Sequence, residues 1–302
     1  MGAASPCLKP SCPERATTHM TLLGFSLVLA AAFAHATWNF LVKRLNGGTE
    51  LLWLFAALSL PVYGPFALYL ALTFDEWSLL AVIALLGTAL LHLAYFLLLQ
   101  AGYRAGDLSV VYPTARSTGP VLSSLLALVL LGQALPAQAA LGGAIIVFGV
   151  AMLTGGPRGS ARPLRSLAYG LGVGMLIGAY TVWDAWGVSV LLIPPILMDY
   201  ASAIGRTILL YPHARKRWNK VQALWRDHRI EVLTIAVLNS GAYILVLYAL
   251  TFTPVIYVAP LREVSVLIAV LLGSIVLGEG QLARRLIWAS VILAGVSILA
   301  TS

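Results

Sequence analysis

Polar and apolar positions along this chain are sorted into long blocks, not into the short periods of a soluble helix or strand. Ten mostly apolar blocks run from Thr21 to Val42, Leu51 to Leu72, Trp77 to Leu99, Leu108 to Leu131, Ala137 to Leu153, Leu167 to Val188, Pro195 to Tyr211, Ile230 to Leu250, Val255 to Leu277 and Leu282 to Ala300. A helix that crosses a bilayer needs about 20 apolar residues, with a range of about 17 to 25. All ten blocks fit, the fifth, seventh and tenth being the shortest. In hydrocarbon a chain must satisfy its own backbone hydrogen bonds, and the residue-by-residue alternation of membrane barrel strands is missing here. The pattern therefore predicts an all-α membrane protein with ten transmembrane helices.

Composition agrees. The chain is 60% apolar and 10% charged, whereas soluble domains carry about 25% charged residues. Ahead of the first block, Met1 to His19 are polar and contain Pro6, Pro10 and Pro13, which reads as a disordered tail over residues 1–20. Met20 directly precedes the first block and is a candidate native start. Cys7 and Cys12 both lie in that tail, cannot staple a fold and have no histidines at metal spacing, so no metal or cofactor is expected. The net charge of +8 is spread over short loops, the pattern of topology determinants and not of nucleic-acid binding.

The blocks repeat. "AHATWN" (Ala34 to Asn39) is echoed by "AYTVWD" (Ala179 to Asp184), matching Trp38 with Trp183 and Asn39 with Asp184. A discarded signal peptide, which "AHA" imitates, would not be echoed. "LAYFLLLQAG" (Leu93 to Gly102) resembles "GAYILVLYAL" (Gly241 to Leu250), setting Tyr95 opposite Tyr243, and "LGQAL" at Leu131 resembles "LGEGQ" at Leu277. Arg116 then falls opposite Arg262. The expected organisation is a five-helix unit over 21–155, a linker over 156–166 and a second five-helix unit over 167–302. An odd number of helices per unit makes the two enter the membrane in opposite senses, a hallmark of alternating-access carriers.

Numbering the loops alternately separates the charges. Of the 19 Lys and Arg residues, Lys9 and Arg15 lie on the tail's side and Arg116, Arg206 and Arg262 lie within blocks. All the others, from Lys43 to Arg285, fall on the opposite side. The positive-inside rule assigns that side to the cytoplasm, which puts both termini outside and makes the His213 to Arg229 loop an amphipathic strap at the cytoplasmic lipid surface.

Arg116, Asp184, Asp199, Arg206, Arg262 and Glu263 lie inside apolar blocks. Each costs roughly 2.5–3.5 kcal/mol at a bilayer centre on insertion scales, so they should face the bundle interior, pair, or line water. Arg262 and Glu263 are neighbours and point about 100° apart on a helix. Arg116 and Arg262 sit near mid-block, beside Pro113 and Pro120 in one half and Pro254 and Pro260 in the other. Proline loosens a helix, and broken helices at a repeat interface build midplane sites. Two guanidinium groups there suit a carboxylate, phosphonate or phosphate. The alternative is structural pairing: Arg116 with Asp184, and Arg262 with Asp199 or with Glu263 of a neighbouring chain. The expected substrate-binding set is Arg116, Arg262, Asn39, Trp38, Trp183, Tyr95, Tyr243, Tyr112 and Tyr180. Asp184, Glu263 and His35 are candidate coupling residues. Gly170, Gly174 and Gly178 form a stripe that signals close helix packing.

Three stretches, "HATWNFLVKR", "YRAGDLSVVYPTARSTGPVLSSLLALVLLGQAL" and "VAPLREVSVLIAVLLGSIVLGE", resemble the drug/metabolite transporter superfamily of the EamA type over essentially the whole chain after the tail. The first stretch also resembles a subgroup associated with phosphonate utilisation. The resemblance implies a ten-helix, two-repeat fold in the plasma membrane, with the fifth and tenth helices peripheral to a central cavity. Gln133 departs from it where the first unit often carries a glutamate, and termini outside depart from members drawn with termini inside. The function expected is secondary active export of a small polar or anionic metabolite, with proton coupling as an option. The alternatives are export of lipophilic cations, or a non-transporting scaffold or receptor. No zinc-protease motif, paired aspartate or nucleophile elbow points to an enzyme. The expected partners are the small-molecule substrate, the lipid bilayer and, as a candidate, a second copy of the chain; nucleic acid is not among them.

Overall fold

The computed structural model describes residues 20–105, 108–154, 163–276 and 282–302. The tail through His19, most of the expected linker and Glu279 lie outside them. Twelve helices are assigned among the described residues: α1 Leu22–Leu45, α2 Gly48–Thr73, α3 Leu79–Ala105, α4 Leu108–Leu130, α5 Ala137–Thr154, α6 Pro163–Ser189, α7 Pro195–Lys216, α8 Trp218–Asp227, α9 Arg229–Leu250, α10 Val255–Arg262, α11 Val264–Val276 and α12 Leu282–Ala300. The ten apolar blocks are all helical, and the two extra helices have local causes. The strap is not a loop: α7 runs on to Lys216 and α8 follows, its buried Val221 packing with Leu224 against α2 while its basic residues face outward. At its end a hydrogen bond from Arg226 holds the Asp227 carboxyl below its usual range. The ninth block is divided at Glu263, where the N–H of that residue bonds back to the Pro260 oxygen at 3.0 Å in a tightened turn. The fourth block, which also contains prolines, stays continuous as α4.

Helix ends follow the local chemistry. The Thr21 hydroxyl accepts from the Gly24 N–H at 3.1 Å and caps α1. Asn46 closes the same helix in the left-handed region at φ 47°, a conformation its short polar side chain tolerates. Lys43 and Arg44 in the last turn complement the helix dipole.

Packing joins the halves pairwise. α4 lies against α6, α5 against α12, α1 against α9, α2 against α7, and α3 against both α6 and α7. Exchange α1 with α6, α2 with α7, α3 with α9, α4 with α10–α11, and α5 with α12. The α1–α9 contact then becomes α6–α3, α3–α7 becomes α9–α2, and α4–α6 becomes the contact of α10–α11 with α1. All of these contacts exist, and α2–α7 and α5–α12 map onto themselves. Glycines allow the closest approaches. A Cβ on Gly170 would lie 2.6 Å from Thr114 Cβ, and one on Gly178 would lie 3.0 Å from Leu122 Cβ, so the stripe on α6 is where α4 sits. Gly142 and Gly295 do the same for α5 and α12, each meeting the other helix's backbone.

The outer surface is apolar, with Phe66, Leu72, Leu79, Leu90, Val129 and Ile208 all exposed. By length and composition five described helices can cross a membrane: α1, α2, α3, α9 and Leu164–Ser189 of α6. α10 and α11, on either side of Glu263, fall outside that set by length, at 8 and 13 residues.

Candidate functional site

Two polar groups converge where α1, α3, α4, α6, α9 and α10 meet. The first surrounds Asp184, which is 0% exposed. Tyr180 and Asp184 lie one turn apart on α6. Tyr243 of α9 donates its hydroxyl proton to Asp184 Oδ2. His92 of α3 lies between them, its ring 4.3 Å from that of Tyr180 and 5.1 Å from that of Tyr243. Its Nε2 is 3.8 Å from Asp184 Oδ2. Its Nδ1 is 2.9 Å from the Thr88 carbonyl oxygen and 3.1 Å from the Thr88 hydroxyl. Tyr95 closes the aromatic wall, 5.5 Å from Tyr180.

The second group straddles the break between α10 and α11. Arg262 ends α10 and Glu263 immediately precedes α11. Glu263 keeps right-handed helical angles, φ −68° and ψ −13°, so the chain tightens there without turning aside. Arg262 donates from Nη2 to the Tyr180 hydroxyl at 3.2 Å and lies 6.0 Å over the Tyr243 ring. Arg116 Nε and Glu263 Oε2 are 3.2 Å apart, yet neither atom has a hydrogen bond. The contact is thus an ion pair made side by side and not along the N–H. Arg116 also donates to the Ser265 hydroxyl at 3.3 Å and lies 6.0 Å over Tyr112. Among the described residues no carboxylate lies within ion-pair distance of Arg262. It opens instead onto a cavity of about 20 Å³ lined also by Ala31, His35, Tyr243 and Ser265, with room for a water molecule.

Of the residues picked out in the sequence, Arg116, Arg262, Asp184, Glu263, Tyr95, Tyr112, Tyr180, Tyr243 and His35 thus gather around this centre. Three do not. Asn39 donates to the backbone oxygen of His35 at 2.7 Å. Trp38 donates to His35 Nδ1 at 3.3 Å and packs toward Phe55. The Trp183 indole fills the notch at Gly87 and donates to the Ala84 oxygen at 2.9 Å. The structural pairings considered above are replaced by another: Arg116 meets Glu263 and not Asp184. Among the described contacts Asp199 and Arg206 of α7 make no hydrogen bond to the centre but lie close enough to act on Asp184 and His92, and Arg206 contacts the Ser202 oxygen at 3.3 Å and Asn239 at 3.4 Å. His92, Thr88 and Ser265 were not foreseen. The signal for His92 was present, since an imidazole inside an apolar block one turn from Tyr95 carries the same warning as His35.

Residues 164–301, a little under half of the chain, match the model of the EamA-like transporter family. The second half is thus similar to transporters of that family, and five of the described helices are long and apolar enough to cross a membrane. A crystal structure of another protein shares the fold, with a TM-score of 0.65 and 14% identity, covering 91% of this chain and 98% of the other. Comparison with curated proteins gives no match.

Proposed function

We propose that the chain is a secondary transporter that carries a small organic anion across the plasma membrane by alternating access, with ten spans arranged as two inverted five-helix units and both termini outside. The exchange of helix contacts between halves supports the inverted repeat, because each gate-forming contact has a counterpart that can close as the first opens. One observation carries the substrate class. Arg262 is a guanidinium at the membrane interior, without a carboxylate in reach among the described residues, facing a cavity between the halves. A charge in that position is costly unless a partner arrives. A carboxylate, phosphonate or phosphate would supply one, held by two parallel N–H groups. The cavity holds water and not a metabolite, so loading requires α1 and α9 to part from α10.

A second reading rests on Asp184, whose carboxylate among Tyr180, Tyr243 and His92 suits an organic cation. One screen separates the two. Purified protein is heated with amino acids, monocarboxylates, methylphosphonate and lipophilic cations, and each stabilising compound is tested for counterflow in liposomes. Stabilisation by anions that disappears in Arg262→Ala, with saturable counterflow, is the expected result. Stabilisation by cations alone, unaffected by Arg262→Ala, would overturn the anion reading. Stabilisation without counterflow would favour a receptor.

A further inference from the structure

The Asp184 cluster is short of one proton. The Thr88 carbonyl 2.9 Å from His92 Nδ1 can only accept, so Nδ1 carries the hydrogen and a neutral ring turns the lone pair of Nε2 toward Asp184. Asp184 Oδ2 already accepts from Tyr243. Asp184 Oδ1 is buried and makes no well-aligned hydrogen bond, although the Thr88 hydroxyl lies near the carboxylate. A lone pair and a carboxylate therefore face each other across 3.8 Å, the carboxylate wholly buried and the imidazole nearly so. Unpaired buried acceptors are costly, and a single added proton, on either group, turns the repulsion into attraction.

We propose that His92 and Asp184 together bind one transported proton, and that this proton is linked to the anion held by Arg262; the linkage, though not the proton site, rests on the anion reading above. The proton enters from water on the open side, adds to His92 Nε2 or an Asp184 oxygen, and leaves to water on the other side. One N–H or O–H bond is made and then broken, with no other bond changed.

The charged and titratable groups around the pair fix the sign of the linkage. Arg262 of α10 and Asp199 of α7 act on Asp184, and Arg206 of α7 and Arg262 act on His92. Tyr95 of α3, Tyr180 of α6 and Tyr243 of α9 are ring neighbours, and His35 of α1 lies across the cavity. Tyr243 connects the two sites, since its hydroxyl binds Asp184 while its ring lies under Arg262. Protonation removes negative charge beside Arg262 and strengthens its hold on an anion. By reciprocity the anion strengthens the hold on the proton. Proton and anion then travel together, and an inward proton gradient drives accumulation, opposite to the export suggested by the family resemblance.

Infrared titration of the purified protein tests the proton site without any substrate. Lowering the pH should raise the stretch of a buried protonated carboxyl, and Asp184→Asn should remove it. In His92→Gln the band should persist with its midpoint moved by at least one pH unit, a tenfold change in proton affinity. A band untouched by Asp184→Asn, or a midpoint unchanged in His92→Gln, would overturn the proton site. Sodium lactate or methylphosphonate should then raise the wild-type midpoint but not that of Arg262→Gln. An unmoved midpoint with the band intact would overturn the linkage while leaving the proton site standing. Anion stabilisation without the band would overturn the proton site and the linkage with it, while leaving the anion reading standing.

Discussion

Arg116 and Arg262 occupy matching places in the two halves but meet different surroundings. Arg116 lies in a continuous helix, buried against Glu263 and Ser265. Arg262 closes a short helix at a break, touches only a tyrosine hydroxyl and an aromatic face among its described contacts, and borders a cavity. The difference traces to one neighbour. The residue after Arg116 is Ser117, and the residue after Arg262 is Glu263. Glu263 reaches across to the other half's arginine because adjacent helical residues diverge. A duplicated unit has thus become unequal: the second half supplies the anion that holds the first half's cation, and its own cation is left for cargo.

The largest expected effect is on the paired side. Arg116→Ala leaves Glu263 buried and alone, and should destabilise the protein by about 3–5 kcal/mol, read as a fall in thermal unfolding temperature in detergent. Adding Glu263→Gln to it should recover most of the loss. If Arg262→Ala costs as much stability as Arg116→Ala, the two arginines are equivalent and the contrast is wrong. Next comes Tyr243→Phe, which strips Asp184 of its described hydrogen-bond donor and should cost about 1–3 kcal/mol. Tyr95→Phe, at the corresponding place in the first half, has no carboxylate to abandon and should cost clearly less in the same measurement. Arg262→Lys keeps the charge but loses the planar fork, and should weaken anion-induced stabilisation about tenfold, or about 1.4 kcal/mol. Arg116→Lys should leave anion affinity within a factor of about two, which is under 0.5 kcal/mol. The smallest effect belongs to Ser265→Ala, which removes one hydrogen bond from Arg116 and should cost about 1 kcal/mol. A larger loss of anion binding than of stability there would mean that Arg116 also meets the cargo.

Much of this was legible in the sequence because membrane helices announce themselves by length and apolarity, and the Arg, Asp and Tyr residues stand out against them. The glycine stripe on α6 also predicted its close neighbour correctly, although the sequence did not say that the neighbour is α4. Other features were hidden because a side chain's direction is decided by tertiary contacts. Trp38 and Asn39 looked inward by their spacing from His35, yet each spends its polar group on that same residue. Trp183 looked like a cavity wall beside Asp184 and is instead a wedge against α3. The helix break at Glu263 could not be separated from the unbroken α4 by counting prolines, since both segments carry them. What differs is the charged residue that follows the arginine.

The wedge sets a dimension. Trp183 fits only because residue 87 has no side chain, and a Cβ there would overlap the indole. The thickness of one aromatic ring, seated in one missing methyl, thereby fixes how far α6 stands from α3. Asp184 follows Trp183 directly, and His92 follows Gly87 by little more than a turn. The gap across which imidazole and carboxylate regard each other is consequently gauged by a residue without a side chain, and Gly87→Ala would open it by pushing the Trp183 indole off the Ala84 oxygen.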